Sequence, residues 1–496
     1  MIINFFRKNI LEIGIVLIFV ASRVINLGII PIFTDEAIYS YWAQIALHDP
    51  ANRYISLEDG KQPLYIWFSS IAQLFIHDPL MAGRVVSIFS GFVALIFIYL
   101  LTRDFFGKKT ALFASFLYVV LPFTLLYDRL GLYDSFLTAI CLIVVYLSIK
   151  LAQKPKLDLS LLTGAALGMG LITKSSTLLF LVLLPAPLVI LYLKGKTWLK
   201  QIVRWIPFAL LCVVIAEIIY NSLRLSQLFY LISRKNYSFI RPLWEVLENP
   251  FLVFLSNSTS IIKWLNSYIG TPLLIIFLAA VIYGLYTKNR KALLLTIYVA
   301  FPFLIEILFN IVLYPRFVLF YFPYMIILIA FAFSQLEKSK RVNRLVFSLI
   351  FILSVLYPIT NSFLLLTKPT SAKIASSDYD QYINSWPAGY GVKEVVKILN
   401  EEAQSKPVYL GTEGTFGLLP FALNIYFPGR ANPQITGFWP VNENDLPKQV
   451  LNAAKTKKTY FLFNENQKEI NNPQLHLVAI YPKGTSNSFM RLYEVK

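Results

Sequence analysis

Charged, cysteine and histidine side chains are scarce in this chain of 496 residues. Only 15% of its residues are charged, whereas 57% are hydrophobic and 16% are aromatic. This balance excludes an ordinary soluble protein of this length and predicts an integral membrane protein. The two cysteines, Cys141 and Cys212, lie within apolar runs, which excludes a disulfide framework and favours packing roles. The histidines His48, His77 and His476 are too scattered to predict a metal cluster.

Long apolar runs dominate the first three quarters of the chain. Several reach the ~20 residues that cross a bilayer core, and the first lacks the cleavage site of a signal peptide. We predict eleven transmembrane helices, at residues 10–30, 82–102, 110–128, 132–153, 158–175, 177–193, 202–221, 271–287, 292–313, 316–335 and 345–366.

Basic residues outnumber acidic ones by 45 to 27, which gives a net charge of +18. In a soluble protein this excess would suggest nucleic acid, but here it lies mostly in alternate short loops, so no nucleic-acid partner is predicted. Arg7 and Lys8 precede the first span, and Lys194 and Lys196 lie in one of the basic loops. The positive-inside rule therefore predicts a multi-pass protein of the cell membrane with a cytoplasmic N-terminus.

Three segments outside the spans are long enough to carry function. Residues 31–81 form a first outer loop with polar residues throughout, and residues 222–270 form a second whose aromatic and basic residues suit an interfacial lid. After the transmembrane domain, residues 1–366, the chain becomes richer in Asn, Gly and Pro. Residues 367–496 are predicted to form a small extracytoplasmic α/β domain, with a helix around residues 392–403 and strands at residues 408–410, 459–463, 476–481 and 489–495.

An acidic pair, Asp35 and Glu36, stands directly after the first span. Carboxylates beside the hydrocarbon are costly unless they are used, so Asp35 is predicted to be the centre of an active site. The alternative for either residue is helix capping. Asp134 lies at the outer end of another predicted span, and its alternative is a local pair with Arg129. By contrast, Leu57-Glu58-Asp59-Gly60 is interpreted as a solvated turn.

Several cations lie at outer helix ends or in outer loops, where the topology rule disfavours them. They are Lys61, Arg84, Arg129, Lys174, Arg234, Lys235 and Arg316. The plain alternative is that they reach lipid headgroups or pair with Asp78, Asp128 or Glu306. Together with the carboxylates they instead suggest a reaction in which a lipid-linked phosphate leaves. A hydroxyl attacking a sugar C1 needs a base and cations that stabilise the departing phosphate.

A set of short motifs resembles the GT-C glycosyltransferases, in particular protein O-mannosyltransferases and lipid A aminoarabinose transferases. The motifs are Thr34-Asp35-Glu36, Lys61-Gln62-Pro63-Leu64, Ala82-Gly83-Arg84-Val85-Val86-Ser87, Tyr133-Asp134, Gly170 to Lys174, and Arg316 before aromatic residues. Trp386-Pro387-Ala388-Gly389-Tyr390-Gly391 is similar to a motif of prokaryotic members. Gln62 departs from the proline usual in aminoarabinose transferases, which leaves the acceptor open.

The resemblance implies a GT-C fold, a polyprenyl-phosphate-linked sugar as donor and inversion at the anomeric carbon. It implies catalytic roles for Asp35, Glu36 and Asp134, with Asp35 as the base. Lys61, Arg84, Lys174 and Arg316 would bind the donor phosphate, while Arg234, Lys235 and Tyr237 would serve the acceptor or the lid. No cofactor or metal is predicted, although Glu306 or Glu58 could hold a divalent cation.

Two other classes of function compete with the transferase. A transporter or flippase for lipid-linked sugars would use the same cations without bond cleavage, but we see neither charges deep in several helices nor pseudo-symmetric halves. A structural or receptor protein would leave the charged set unexplained. For the transferase, the sugar is a hexose or pentose, and the acceptor is a hydroxyl on a protein, lipid or glycan.

Overall fold

A computed structural model describes residues 9–191, 197–442, 444–468 and 470–496 of the chain. The basic residues Arg7, Lys8, Lys194 and Lys196, which support the predicted orientation, lie outside the described residues. The predicted fold class is confirmed: the chain is mostly helical, with a small mixed sheet at its C-terminal end.

The helices divide into long membrane-type helices and shorter helices in the segments between them. The membrane domain contains α1 Ile10–Val24, α2 Thr34–His48, α3 Leu64–Gln73, α4 Pro79–Phe106, α5 Lys108–Val120, α6 Pro122–Asp128, α7 Tyr133–Gln153, α8 Leu157–Leu171, α9 Leu178–Val182, α10 Thr197–Asn221, α11 Tyr230–Tyr237, α12 Leu243–Glu248, α13 Phe254–Tyr286, α14 Arg290–Phe309, α15 Phe322–Lys338 and α16 Arg344–Thr367.

Each of the eleven predicted spans corresponds to a helix or to a pair of helices, but their lengths differ. Among the described residues, six helices are long and apolar enough to cross a membrane, and the bent pair α5 and α6 makes up to seven. That pair bends by 62° before Pro122. The predicted span 177–193 is interrupted by Pro185 and Pro187, whose missing N–H groups break the helical ladder.

Local sequence fixes where the long helices begin and how closely they pack. The Asp78 carboxylate accepts hydrogen bonds from the Leu80 and Met81 amides and so caps α4, with Pro79 in its first turn. Gly168 lies where α8 crosses α10, and an added Cβ would stand 2.6 Å from the Ile219 Cβ. A glycine is therefore required for this close helix contact.

The C-terminal domain is built on a five-stranded sheet of order β2-β1-β3-β5-β4. Helix α17 Val392–Ala403 precedes β1 Val408–Glu413, α18 Leu418–Asn424, β2 Gln434–Phe438, α19 Lys448–Ala454, β3 Lys458–Phe463, β4 Leu475–Pro482 and β5 Phe489–Val495. Strands β2, β1 and β3 are parallel, and β5 and β4 continue the sheet antiparallel. The sequence pattern does not predict the short strand β2 or the short helices α18 and α19.

The C-terminal domain is bonded to the start of α2, where the acidic pair lies. The Thr34 amide donates to the Pro387 carbonyl at 3.1 Å, and the Gly389 amide donates to the Ile32 carbonyl at 2.8 Å. A bridge between Phe33 and Ala388 lies between these bonds. The motif beginning at Trp386 therefore fixes the backbone beside Asp35.

Candidate active site

Asp35 lies in the first turn of α2 and is paired with two cations. Its Oδ2 accepts from Arg316 at 2.6 Å, and its Oδ1 is 3.3 Å from the Lys61 Nζ. The three side chains are between 14% and 19% exposed, so they are shielded but reachable. Burial acts to raise the pKa of Asp35, but the attraction of Lys61 and Arg316 outweighs it and holds this pKa well below its usual range. Asp35 is thus ionised at neutral pH.

A second ion pair joins Asp134 to Lys174 at 2.8 Å. Asp134 therefore does not pair with Arg129, which instead donates to backbone carbonyls at the end of α1. The Lys174 Nζ also lies 4.6 Å from the ring centre of Phe317, the neighbour of Arg316.

Two aromatic rings connect these pairs. Tyr133, next to Asp134, has its ring centre 4.3 Å from that of Tyr39. The Tyr39 hydroxyl in turn accepts from the Lys61 Nζ at 3.3 Å. The pairs formed by Asp35 and by Asp134 are therefore neighbours, and we use the name charged hollow for the region around Asp35, Lys61, Asp134, Lys174 and Arg316.

The predicted lid lies against the charged hollow through α11. Lys235 of this helix pairs with Asp59 at 2.6 Å, and Asp59 is also 3.4 Å from the Lys61 Nζ. Asp59 thus belongs to the charged network, so its interpretation as a merely solvated residue is wrong. The turn itself is present, because Gly60 has φ +64° and contacts the α11 backbone where a Cβ would collide.

The other two predicted lid residues, Arg234 and Tyr237, are exposed on α11. The side-chain amide of Asn236, on the same helix, donates to the Ser175 hydroxyl at 3.1 Å. The side-chain amide of Gln62 donates to the same hydroxyl at 2.8 Å. The Ser175 hydroxyl therefore links Gln62, which follows Lys61, to the lid helix α11, and Ser175 itself follows Lys174.

Arg84 and Glu36 form a fully buried pair separate from the exposed cations. Two N–H groups of Arg84 donate to Glu36 at 2.8 Å each, and the other three donate to the carbonyls of Leu27, Ile30 and Pro31. Glu36 also accepts from the amides of Phe33 and Gly131. Protein groups thus use all five N–H groups of Arg84 and both carboxylate oxygens of Glu36, while the phosphate-binding role of Arg84 and the catalytic role of Glu36 stay predictions.

One buried carboxyl that the sequence pattern does not single out lies close to this region. Asp378 is fully buried and accepts hydrogen bonds from the hydroxyls of Tyr127, at 2.7 Å, and Tyr268. Burial raises the pKa of Asp378 to about 7, although the positive charge of Arg316 acts to lower it. A lone aspartate after the last predicted span carries no spacing signal that would reveal it.

Metal ligands do not cluster in the described part of the chain. No three His, Cys, Asp or Glu side chains there come together in a way that could hold a metal ion. Glu306 accepts a hydrogen bond from the Tyr321 hydroxyl at 2.7 Å, and Glu58 is exposed.

The combination of membrane-type helices and a small C-terminal α/β domain is that of the GT-C fold of glycosyltransferases. Residues 60–220 match the family model described as "Dolichyl-phosphate-mannose-protein mannosyltransferase". This stretch contains Lys61, Asp134 and Lys174. The predicted resemblance to GT-C glycosyltransferases of the protein O-mannosyltransferase and aminoarabinose transferase type is confirmed.

Solved structures of the same fold cover nearly the whole chain. ArnT from Cupriavidus metallidurans in the apo state matches with a TM-score of 0.59 and 14% identity, over 98% of this chain and 97% of that chain. ArnT bound to undecaprenyl phosphate matches with a TM-score of 0.57, 15% identity and the same coverage.

A second solved protein shares the fold over most of the chain. The Archaeoglobus fulgidus oligosaccharyltransferase AglB, in complex with an inhibitory peptide and a dolichol-phosphate, matches with a TM-score of 0.54 and 12% identity, over 92% of this chain and 70% of that chain. A sequence search of curated proteins finds no match. At these identities the likenesses show the fold alone.

Proposed function

We propose that the protein is an inverting glycosyltransferase that moves a sugar from a polyprenyl-phosphate donor to a hydroxyl acceptor on the outer face of the membrane. The single observation that carries the proposal is the pairing of Asp35 with Lys61 and Arg316, all three of whose side chains are partly exposed. The matched mannosyltransferase model and the ArnT structure with undecaprenyl phosphate support a lipid-linked donor.

The proposed step is a single displacement. The acceptor oxygen attacks C1 of the sugar and loses its proton to Asp35, while the bond from C1 to the phosphate oxygen breaks. Polyprenyl phosphate leaves with the bonding electrons. Lys61, Lys174 and Arg316 stabilise the charge that develops on the phosphate, which is where fixed cations lower a barrier. Asp134 positions Lys174 for this role.

The support for the cations differs between residues. Lys61, Lys174 and Arg316 each pair with a carboxylate that borders the charged hollow. A phosphate bound there can therefore share these three cations with the carboxylates. Arg84 has no free N–H group, and binding phosphate would break its buried contacts. We therefore propose Lys61, Lys174 and Arg316 as the phosphate site and assign Arg84 to its support.

The acceptor side of the hollow is proposed to lie toward the lid and the C-terminal domain. Lys235 borders the hollow through Asp59, and Arg234 and Tyr237 are exposed on the same helix. From the C-terminal domain, the ring of Phe416 lies 6.2 Å from that of Trp42 and is 53% exposed. A protein, lipid or glycan acceptor would enter between these surfaces.

The test is a transfer assay with purified protein in proteoliposomes, using a panel of labelled polyprenyl-phosphate sugars and a membrane extract as the source of acceptors. We expect release of polyprenyl phosphate with one donor, and strong loss of both release and undecaprenyl phosphate binding in Arg316→Gln. Arg430→Gln, an exposed cation of the C-terminal domain, is the matched control. Movement of intact donor across the bilayer without release would contradict the proposal and support a flippase.

A further inference from the structure

A groove lies between the end of α2, the turn that follows it, and α3. Its volume is about 590 Å³, within the range of ligand pockets. Its lining includes Ala46, Leu47, Arg53, Tyr54, Trp67 and Ile71. Ala46 is eleven residues after Asp35 on the same helix, so the two positions are about 16 Å apart along its axis. This α2–α3 groove is therefore separate from the charged hollow.

The α2–α3 groove holds one cation without an ion-pair partner. Arg53 is exposed, and no carboxylate of the described residues lies within ion-pair distance of it. The acidic residue closest in sequence, Asp49, instead accepts hydrogen bonds from the Ala51 amide at 3.0 Å and the Asn52 side chain at 2.7 Å. The charge of Arg53 is thus available to an anion.

The wall beside Arg53 is aromatic and held in place. The Trp67 indole N–H donates to the Arg53 carbonyl at 2.8 Å, which fixes the backbone that carries the cation. The Tyr54 ring meets the Trp67 ring edge to face at 5.5 Å. Trp and Tyr side chains of this kind are typical of the interface between hydrocarbon and water.

The mouth of the groove continues into an apolar surface on α3 and the residues that follow. Phe68, Ile71, Leu74 and Phe75 are 38%, 54%, 60% and 79% exposed. The Phe68 ring lies 5.1 Å from that of Phe136, in the first turn of the long apolar helix α7. Phe136 itself is buried, so the exposed face of α3 lies directly beside the packed helices of the membrane domain.

We propose that the α2–α3 groove binds an anionic phospholipid of the surrounding leaflet. Its phosphate pairs with Arg53, and an acyl chain lies along Ile71 and the exposed face of α3. The unpaired cation supplies charge complementarity, and the apolar face supplies contact for the chain. The distance from Asp35 makes this a bound lipid that does not react, and the proposal does not depend on transferase activity.

The test is a lipid titration of the full-length protein, followed by native mass spectrometry, with phosphatidylglycerol and phosphatidylcholine as the probes. We expect phosphatidylglycerol to be retained preferentially. Arg53→Gln should weaken its apparent Kd by about fivefold, the contribution of one basic residue at a lipid surface. Arg53→Lys should keep the preference, and Arg430→Gln should behave like the parent.

Three outcomes would overturn the proposal. Arg53→Gln could bind phosphatidylglycerol as tightly as the parent, or both lipids could bind equally. Undecaprenyl phosphate could also displace phosphatidylglycerol at equal concentration in Arg316→Gln, which would assign the groove to the polyprenyl carrier. Ile71→Gln supplies a second variant: it should weaken retention without removing the cation, and unchanged retention would contradict the acyl-chain contact.

Discussion

Replacing Asp35 by asparagine separates its proposed role as a base from its observed role as a charge partner. The asparagine side chain keeps the size of the aspartate but cannot take a proton from the acceptor hydroxyl. Loss of a general base typically costs about 10²- to 10⁴-fold in rate, or about 3–5 kcal/mol of barrier. The same change frees Lys61 and Arg316 from their 3.3 Å and 2.6 Å contacts with a negative charge. Binding of undecaprenyl phosphate should therefore be unchanged or tighter, while transfer is lost.

Asp59→Asn is the matched control for this prediction. Asp59 is 22% exposed and lies 3.4 Å from the same Lys61, so its variant removes one negative charge from the same hollow. A partly exposed pair contributes at most about 1 kcal/mol, so transfer should change by no more than about fivefold. Rates come from donor turnover in proteoliposomes, and affinities from titration with undecaprenyl phosphate. Equal losses of rate in both variants, or full activity in Asp35→Asn, would refute the reasoning.

Three further predictions concern stability. Arg84→Met leaves the Glu36 carboxylate buried without its partner and should lower stability by about 3–5 kcal/mol, whereas the double variant with Glu36→Gln should recover much of the loss in thermal unfolding. Burial lowers the pKa of Lys483 to about 7 against weaker opposing effects of Glu465 and Glu413. Because the unfolded chain then binds more protons between pH 7 and about 10.4, the C-terminal domain should gain stability as pH rises through this range. Hydrogen exchange of β3 and β5 measures this gain, and Lys483→Met should abolish it. Gly168→Leu should separate α8 from α10 and lower the unfolding temperature, while Gly14→Leu, on an open face, should not.

The sequence predicts the membrane helices well because each depends mainly on its own apolar content. It predicts helix length less well where proline interrupts an apolar run, as at Pro185. It also predicts length less well where a glycine joins two helical segments through a kink. Gly270, at φ +78°, is such a kink within α13. Residues 254–269 form the helical segment before this kink, although the sequence pattern places them in the predicted outer loop. The pattern predicts helix α17 at its observed position because the apolar residues of this helix recur at helical spacing.

The sequence also predicts that Asp35 and the outer cations matter, but not how they are divided. Motif order places Arg84 with Lys61, whereas the fold buries Arg84 against Glu36 and leaves Lys61 near the surface. Burial of this kind depends on contacts between residues 48 positions apart in the chain. The pattern misses Asp59 for a similar reason, since its partner Lys235 lies 176 positions away. Ion pairs between residues so far apart in the chain leave no pattern in the local sequence.

The backbone bonds between Ile32 to Thr34 and Pro387 to Gly389 bear on how this protein can be divided. A membrane half cut after α16 would lose the backbone segment that bonds to the start of α2, beside Asp35. Two halves supplied as separate chains would restore the proposed sugar transfer only if they reassociate through these backbone bonds. A displacement of the C-terminal domain would likewise act on the backbone next to Asp35 through these bonds.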